Sequence, residues 1–439
     1  MFQPLMLIGP ALVCLAYAAG LTRRHPTGWS YAVALWVSVT AMASIALDWS
    51  RLTAGQTAPI MMAVTNVIAA TSAWDSVGWL REHPHIAPHR YYLWWSLFWG
   101  AVLGIAGAQN LGLAWLTVEF STLTSGALII EMGDRHSLEA AWKYILITSV
   151  GLILGLIGIV FLYASLKYQG SGWATLNYSN LHAHYQHIAP IVRTIATIFI
   201  VCGFGTKAGL VPFHTWLPDT HSQAPSPVSG LLSGVLLGLA LFTAAHVVAA
   251  VPVAPGNWIS GPDLFTGFGV LSVAVGALAL FVQRDIKRLL AYSSIEQVGL
   301  ISVALGINSQ AALFAAMLQF TLHAVIKSSL FYGAGHLTIR YQTRRLRNIT
   351  GLMARYPAYA AAWAVGMLAL AGLPPLGLAY SEWLILRQLW QHHAYLTITV
   401  VATALTLTFA ALAYHLIRML WQDVETAPQE LVQIGGEAL

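Results

Sequence analysis

The sequence predicts an all-α integral membrane protein of about thirteen transmembrane helices. Of its 439 residues, 57% are hydrophobic and only 8% are charged, whereas soluble domains carry about 25% charged residues. Apolar stretches follow one another with little between them, and each approaches the roughly 20 residues that a helix needs to cross a bilayer. This composition excludes a soluble catalytic domain. It also excludes a nucleic-acid-binding protein, because the net charge of +5 is scattered over loops between apolar stretches.

The apolar stretches define the helices in order. The first has no basic residue before it, which favours a retained helix over a cleaved signal peptide. Only two connections, 166–189 and 338–357, are long, and a polar tail closes the sequence. The predicted spans are 3–21, 28–48, 57–80, 91–107, 110–131, 138–165, 190–217, 225–250, 262–282, 286–308, 309–337, 358–388 and 394–421.

Basic residues predict how these helices are oriented. Lysine and arginine are concentrated in loops that follow odd-numbered helices and are rare in loops that follow even-numbered ones. By the positive-inside rule the odd loops are cytoplasmic. We therefore expect a multi-pass protein of the cell inner membrane, with its N-terminus outside and its C-terminus in the cytoplasm.

A few ionisable residues lie deep inside the predicted spans. A charge near the bilayer centre is costly, so such residues usually face a protein interior or a wet cavity and carry function. His323 lies one turn before Lys327 and one turn after Gln319, so the three side chains share a helix face. The buried set that we predict to relay protons is Glu119, Lys207, Glu296, His323, Lys327 and Glu382.

The first pair of this set has an alternative interpretation. Glu119 and Lys207, on neighbouring helices, would load or release a proton as their pairing changes, but they could also form an ion pair that only locks helices together. Residues around the WLPD segment could take up protons from the inner surface. Small hydroxyls could hold water between the two lysines, with Gly230, Gly234 and Gly238 leaving room beside them. The uptake candidates are His214, Asp219 and His221, and the hydration candidates are Ser229, Ser233, Ser293 and Ser294.

Metal and cofactor sites are not expected. Cys14 and Cys202 lie alone in apolar runs, which argues against disulfides, zinc and iron–sulfur clusters. The histidines of loops 83–89 and 182–187 have no carboxylate or cysteine pattern beside them. The phosphate-loop and dinucleotide fingerprints are absent from the sequence.

Two long spans are interrupted by glycine and proline, which break helices. The breaks lie at 205–212 and 372–377, five helices apart. Grouping helices 4–8 and 9–13 puts a break in the fourth helix and a buried glutamate in the second helix of each group. Because each group of five helices crosses the membrane an odd number of times, the second group is inverted in the membrane relative to the first. The predicted organisation is a three-helix segment 1–90, a first repeat 91–250, an inverted second repeat 262–421 and a polar tail 422–439.

Three stretches carry a family resemblance: GTKAGLVPFHTWLPDTHSQAPSPVSGLLSG, DIKRLLAYSSIEQVGLISVALG and LHAVIKSSLFYGAGHL. They resemble the antiporter-like, proton-conducting membrane subunits of complex I, membrane-bound [NiFe] hydrogenases and Mrp cation/proton antiporters. The resemblance covers roughly helices 4 to 13. SSIEQVG and PSPVSGLLSG look most like the hydrogenase-4 and formate-hydrogenlyase type.

The resemblance implies roles for single residues. It places Glu119, Lys207, the His323–Lys327 relay and the terminal Glu382 on the family's proton path, and it implies the inverted-repeat fold. Where many members carry His or Lys in helix 8, this sequence has Ser233. The sequence also ends after the predicted thirteenth helix, without the fourteenth helix common in complex I.

The resulting expectation is a proton-translocating subunit of a redox-driven, hydrogenase-like or complex I-like assembly. It would bind no cofactor and perform no redox chemistry of its own, and its partners would be other subunits, the bilayer, and protons or Na+. The alternatives are an Mrp-like antiporter, a proton-coupled subunit of an inorganic-solute uptake complex, and a scaffold that has lost pumping, which Ser233 suggests.

Overall fold

The described part of the protein is helical. The computed structural model describes residues 26–48, 50–51, 56–167, 172–253 and 259–422. Within these residues there are isolated bridges but no β-strand, and ten helices are long and apolar enough to cross a membrane. The predicted all-helical membrane fold is therefore confirmed. The predicted span 3–21, Cys14 and nearly all of the tail lie outside the described residues, so the count of thirteen helices stays a prediction.

The main helices follow the predicted spans from the second onward. They are α1 (Pro26–Leu47), α2 (Thr57–Glu82), α3 (Pro88–Gly107), α4 (Leu111–Ile130), α5 (Arg135–Leu166), α6 (Pro190–Ala208), α7 (Trp216–Gln223), α8 (Ser226–Ala250), α9 (Gly261–Leu280), α10 (Ile286–Gly306), α11 (Gln310–Tyr341), α12 (Pro357–Leu370), α13 (Gly377–Gln391) and α14 (Tyr395–Trp421). Short helices Tyr178–His184 and Leu352–Arg355 lie in the two long connections.

Polar side chains mark where several helices begin. A helix start leaves backbone N–H groups without partners, and a preceding Asn, Asp or Ser can accept from them. The Asn110 side chain accepts from the backbone of Gly112 and Leu113 before α4. The Asp285 side chain does the same before α10, and Ser260 forms a capping box before α9. These residues fix the helix ends in otherwise apolar sequence.

Both predicted helix breaks are present. α6 ends at Ala208, Gly209 adopts a left-handed φ of 76°, and a short turn leads to α7. α12 ends at Leu370, Gly372 adopts a φ of 72°, and α13 begins at Gly377. A positive φ suits glycine because it has no Cβ. Each break frees backbone groups inside the bundle, which is tolerated only against protein or water.

Two helices form the centre of the bundle. α8 and α10 are the most deeply enclosed of the long helices. α10 packs closely on α9, where a Cβ on Gly299 would lie 2.9 Å from the carbonyl oxygen of Gly269. α11 packs on both α8 and α10, and α2 packs on α8 and α11.

The repeat is supported by this arrangement but stays a prediction. In each five-helix unit the first helix packs on the second and the second on the third: α3, α4 and α5 in one unit, and α9, α10 and α11 in the other. The second helix of each carries the glutamate and the fourth is the broken one. The inverted relation and the domain boundaries remain predictions.

Candidate functional site

Five of the six predicted relay residues are buried. Lys207, Glu296 and Lys327 have no exposed surface, and His323 and Glu382 are nearly as deep. Glu119 is half-buried. Gln319, His323 and Lys327 are all buried on α11, which confirms that they lie on one inward face.

Lys207 stands at the end of α6, beside the first break. Its amine donates to the Thr122 hydroxyl at 2.8 Å and to the Tyr144 hydroxyl at 2.5 Å. The Tyr144 hydroxyl is also 2.7 Å from the Ser125 hydroxyl. These partners are all neutral, so the buried amine is held by dipoles contributed by α4 and α5.

Glu119 and Lys207 do not form a direct ion pair. One Glu119 oxygen, Oε1, accepts from the Ser149 hydroxyl at 2.7 Å. The other, Oε2, is buried without a hydrogen-bond partner among the described protein atoms. Thr122, which holds the lysine, lies about one helical turn beyond Glu119 on α4. Helix α4 therefore carries Glu119 and also contacts Lys207 through Thr122, and a link between the two through water remains a prediction.

Lys327 lies at the centre of the second cluster. Its amine donates to the Leu290 carbonyl oxygen at 2.5 Å and to the Ser293 hydroxyl. The hydroxyl of Ser294, the next residue on α10, is 2.7 Å from that of Ser233 on α8. Three of the four predicted hydration serines thus converge beside Lys327. Ser229 lies apart from them and donates to the His221 carbonyl oxygen at 3.5 Å.

Ser233 occupies a π-helical segment, Leu232–Leu236, in the middle of α8. Single π-turns inside α-helices are rare and are frequent at functional sites. Because the apolar sequence of this stretch does not signal an extra residue per turn, sequence analysis missed the segment.

The expectation that small residues of α8 leave room for water is wrong for its glycines. A Cβ on Gly234 would lie 2.9 Å from the Ala324 carbonyl oxygen of α11. The space beside Gly230 is filled by the Tyr332 ring and that beside Gly238 by the Phe320 ring. The glycines let α11 approach α8, so polar continuity there depends on the serine hydroxyls.

A chain of amides links α11 to Glu382. The Gln319 side-chain amide donates to Gln297, and the Gln297 amide donates to the Glu382 carboxylate at 3.4 Å. The Ser381 hydroxyl donates to Gln319 at 2.5 Å. On the same face, the ring nitrogens of His323 lie beside the Ser233 backbone but have no hydrogen bond of full geometry among the described residues. Glu382 is therefore connected to the face that carries Lys327.

Glu296 lies in the same region, with the Thr408 hydroxyl and the Gln297 side chain as its hydrogen-bonding neighbours, but neither carboxylate oxygen has a hydrogen bond of full geometry among the described residues. The Thr408 hydroxyl of α14 is buried beside the Glu296 carboxylate. Buried polar groups are nearly always hydrogen-bonded, often to ordered water. These groups are therefore candidates to hold water, and Thr408 is a residue that sequence analysis missed.

The three predicted uptake residues are separated by the structure. Asp219 binds Arg288 at 2.6 Å and Lys143 at 3.5 Å, beside a cavity of about 180 Å³. His221 is buried and stacks on the Phe331 ring with 4.8 Å between centroids. His214 is half-buried, with its ring 6.4 Å from that of Tyr292. Only Asp219 lies beside this open cavity.

One further, largely buried acid was not predicted. Asp75 of α2 pairs with His336 of α11 at 3.0 Å, and the Tyr332 hydroxyl nearby is 3.2 Å from the Thr71 hydroxyl. The position of Asp75 within two turns of the end of a predicted span was the available signal. These contacts join the N-terminal helices to the second repeat.

The chain matches the family described as NADH:quinone oxidoreductase/Mrp antiporter, transmembrane region, over residues 108–408. It is 36% identical to the hydrogenase-4 component F homolog of Methylacidiphilum infernorum over 334 residues, covering 74% of this chain and 70% of that protein. It is 29% identical to NADH-quinone oxidoreductase subunit N of Desulforudis audaxviator, covering 72% of this chain and 62% of that protein. It is 28% identical to hydrogenase-4 component B of Escherichia coli, covering 74% and 48%, so the match spans about half of that relative.

Two solved structures share the fold. A chain of the membrane-bound sulfane sulfur reductase, an archaeal respiratory membrane complex, superposes with a TM-score of 0.85 at 21% identity, covering 96% of this chain and 88% of that chain. A chain of the Mrp complex from Dietzia sp. DQ12-45-1b superposes with a TM-score of 0.83 at 18% identity, covering 96% and 81%. At these identities the likeness concerns the fold alone.

Proposed function

Because this chain belongs to the transmembrane family of NADH:quinone oxidoreductase and Mrp antiporter subunits, we propose that it translocates protons within a redox-driven complex. The family is one of antiporter-like, proton-translocating subunits of multisubunit membrane complexes. The names of the relatives favour a hydrogenase-like or NADH–quinone-oxidoreductase-like assembly. The electron chemistry is placed in partner subunits.

The proposed path has two clusters. The first comprises Glu119, Lys207 and the hydroxyls of Thr122, Tyr144 and Ser125. The second comprises Lys327, the serines beside it, His323, the amides of Gln297 and Gln319, and the acids Glu296 and Glu382. We add His221 to the path because it is buried, has both ring nitrogens unpartnered in the described structure, and has Lys327 as a charged neighbour.

The clusters suit proton transfer because their members can donate and accept. A hydroxyl does both at once, so Tyr144 can pass a proton between Lys207 and Ser125. An amide orients its neighbours but does not readily change protonation, so Gln297 and Gln319 would position Glu382 and water. We place ordered water beside Glu296, Thr408 and His323, whose buried polar atoms have no hydrogen bond of full geometry among the described residues.

The observation that carries the proposal is the setting of Lys327. It is fully buried, and its hydrogen-bond partners are a backbone carbonyl and a serine hydroxyl. A lysine kept only to lock helices together would be expected to face a carboxylate, because an unpaired buried charge is expensive. A lysine held by neutral oxygens can lose its proton without leaving a buried anion behind, which is what a relay requires.

Energy has to come from outside this chain. Moving one charge against 100 mV costs about 2.3 kcal/mol. In the proposal, a redox partner supplies this energy by shifting charge at one end of the path. The resulting change in protonation then passes from one cluster to the other. An Mrp-like cation/proton antiporter, a solute-uptake subunit and a non-pumping scaffold remain the competing functions.

The test is ion movement by the complete complex in proteoliposomes. With its electron donor and acceptor supplied, the complex should acidify or alkalinise the lumen in a way that a protonophore abolishes. A requirement for Na+ in the same assay would indicate antiport. Electron transfer that continues without any pH change would indicate a scaffold.

A further inference from the structure

A basic pocket lies at the end of the bundle that the charge pattern predicts to be cytoplasmic. It is a cavity of about 550 Å³ lined by Arg284, Arg345, Arg347, Arg418, His415 and Gln283, together with one leucine. Its walls come from three segments: the connection between α9 and α10, the connection after α11, and the last turns of α14.

Backbone hydrogen bonds fix the first two walls to each other. The Leu346 N–H donates to the Arg284 carbonyl oxygen at 2.9 Å, and the Ile286 N–H donates to the Arg344 carbonyl oxygen at 3.0 Å. His415 on the third wall contacts the Leu280 carbonyl oxygen at 3.1 Å. The arginines therefore project from a connected framework rather than from independent loops.

The pocket's positive charge is not neutralised by the described residues. Neighbouring basic groups are paired: Arg288 with Asp219 at 2.6 Å, and Arg344 with Asp285 at 3.8 Å. The four pocket arginines form no ion pair within the described residues. Arg418 donates to neutral groups, the Tyr414 hydroxyl at 2.9 Å and the Gln422 side chain at 3.0 Å. Four guanidinium groups around one cavity favour an anionic ligand with several oxygens.

The helix ends that flank the pocket-lining residues along the chain are apolar, and we call them the apolar rim. Leu278 and Val282, at the end of α9, are more than half exposed, as are Ile417 and Trp421 at the end of α14. In spanning helices such residues face lipid chains, and tryptophan is typical of the level of the headgroups. The cavity therefore lies where a lipid headgroup meets the hydrocarbon.

We propose that this pocket binds the phosphate of an anionic phospholipid, whose acyl chains lie along the exposed ends of α9 and α14. Arginine forks match phosphate oxygens in pairs, and basic pockets between transmembrane helices at the cytoplasmic side suit anionic headgroups. The apolar rim favours a lipid over free phosphate or an acidic protein segment.

The experiment measures lipid retained by the purified complex. The complex is exchanged into nanodiscs of phosphatidylcholine containing a small fraction of cardiolipin or phosphatidylglycerol, and the anionic lipid that survives delipidation is quantified by native mass spectrometry. The variants are Arg284→Gln, Arg345→Gln, Arg347→Gln and their triple combination. The matched control is Arg135→Gln, which removes an exposed arginine at the start of α5, on the same predicted face.

We expect each pocket substitution to weaken retention about fivefold and the triple variant about a hundredfold, with the control unchanged. Equal retention by the triple variant and the wild type would overturn the proposal. Complete displacement of the lipid by inorganic phosphate would assign the pocket to a free anion. Retention that rises only in an Asp423→Asn, Glu425→Gln variant would show that the chain's own carboxylates occupy the pocket, again overturning it.

Discussion

The amine of Lys207 donates to the hydroxyl of Tyr144 at 2.5 Å, and the ring of the same tyrosine lies 4.6 Å from that amine, centroid to nitrogen. The tyrosine therefore contacts the lysine through both its hydroxyl and its π-face. Since the Tyr144 hydroxyl also contacts Ser125, the proposed path takes a proton from Lys207 to a pair of hydroxyls rather than to a carboxylate. In the proposed path, both lysines are held by neutral hydrogen-bond partners.

Tyr144→Phe should slow proton translocation by about tenfold or more, because a hydrogen bond to a charged group contributes about 1.5–3 kcal/mol. The aromatic packing against Trp216, with centroids 4.8 Å apart, is retained in the variant. The rate of pH change in proteoliposomes measures the effect. Tyr178→Phe, on a short helix outside the path, serves as the control, and an unaltered rate in Tyr144→Phe would remove this hydroxyl from the path.

Ser233→Ala should lower translocation several-fold without preventing assembly. The change removes the hydroxyl that contacts Ser294, while Ser294 keeps its bond to the Leu290 carbonyl oxygen at 2.9 Å. Ser328→Ala is the matched control, since Ser328 is buried on α11 and donates to its own helix at 2.7 Å. If both variants translocate protons equally well, the serine bridge from α8 to α10 is not used.

Gln297→Leu should uncouple Glu382 from α11. The leucine fills a similar volume but cannot donate to the Glu382 carboxylate or accept from Gln319. We expect loss of most proton translocation while the complex still assembles and transfers electrons. The control is Gln388→Leu. Gln388 is a buried glutamine of α13 that is hydrogen-bonded to Gln391 and Ser309, and its replacement should have little effect on translocation. A larger loss of translocation in Gln388→Leu than in Gln297→Leu would contradict the amide link.

Asp219→Asn tests whether Asp219 takes up protons or only stabilises the fold through its ion pairs. The ion pairs of Asp219 are partly exposed, and exposed pairs contribute only about 0–1 kcal/mol to stability. The variant should therefore retain its thermal stability while proton uptake slows. Glu139→Gln removes another carboxylate of the same cavity, which pairs with Lys143 at 2.6 Å, and should leave uptake unchanged. A fall in the thermal stability of Asp219→Asn with normal proton uptake would show that Asp219 has a structural role only.

The sequence predicted features that leave a compositional trace. Glycine and proline marked both broken helices, and isolated charges in apolar stretches marked Lys207, Glu296 and Lys327. The spacing on α11 predicted the shared face of Gln319 and Lys327, and the structure has it.

What could not be predicted depends on tertiary contacts. Tyr144 and Thr408 look like ordinary residues of apolar helices until packing brings one of them to Lys207 and the other to Glu296. The glycines of α8 were expected to leave space, because sequence does not reveal that the side chains and backbone of α11 fill it. Glu119 and Lys207 were predicted to pair directly or through one water. Thr122 and Tyr144 take the direct hydrogen bonds of the amine, so the link through water stays a prediction.

The central claim is that Lys327 relays protons within the second cluster, and Lys327→Ala in the intact complex tests it most directly. The ratio of protons moved to electrons transferred is measured in proteoliposomes. Lys287→Ala is the control, because Lys287 is also buried and also donates to a backbone carbonyl, that of Ala224, at 3.0 Å. The account predicts a ratio that falls sharply in Lys327→Ala and stays near the wild-type value in Lys287→Ala. A wild-type ratio in Lys327→Ala would contradict it.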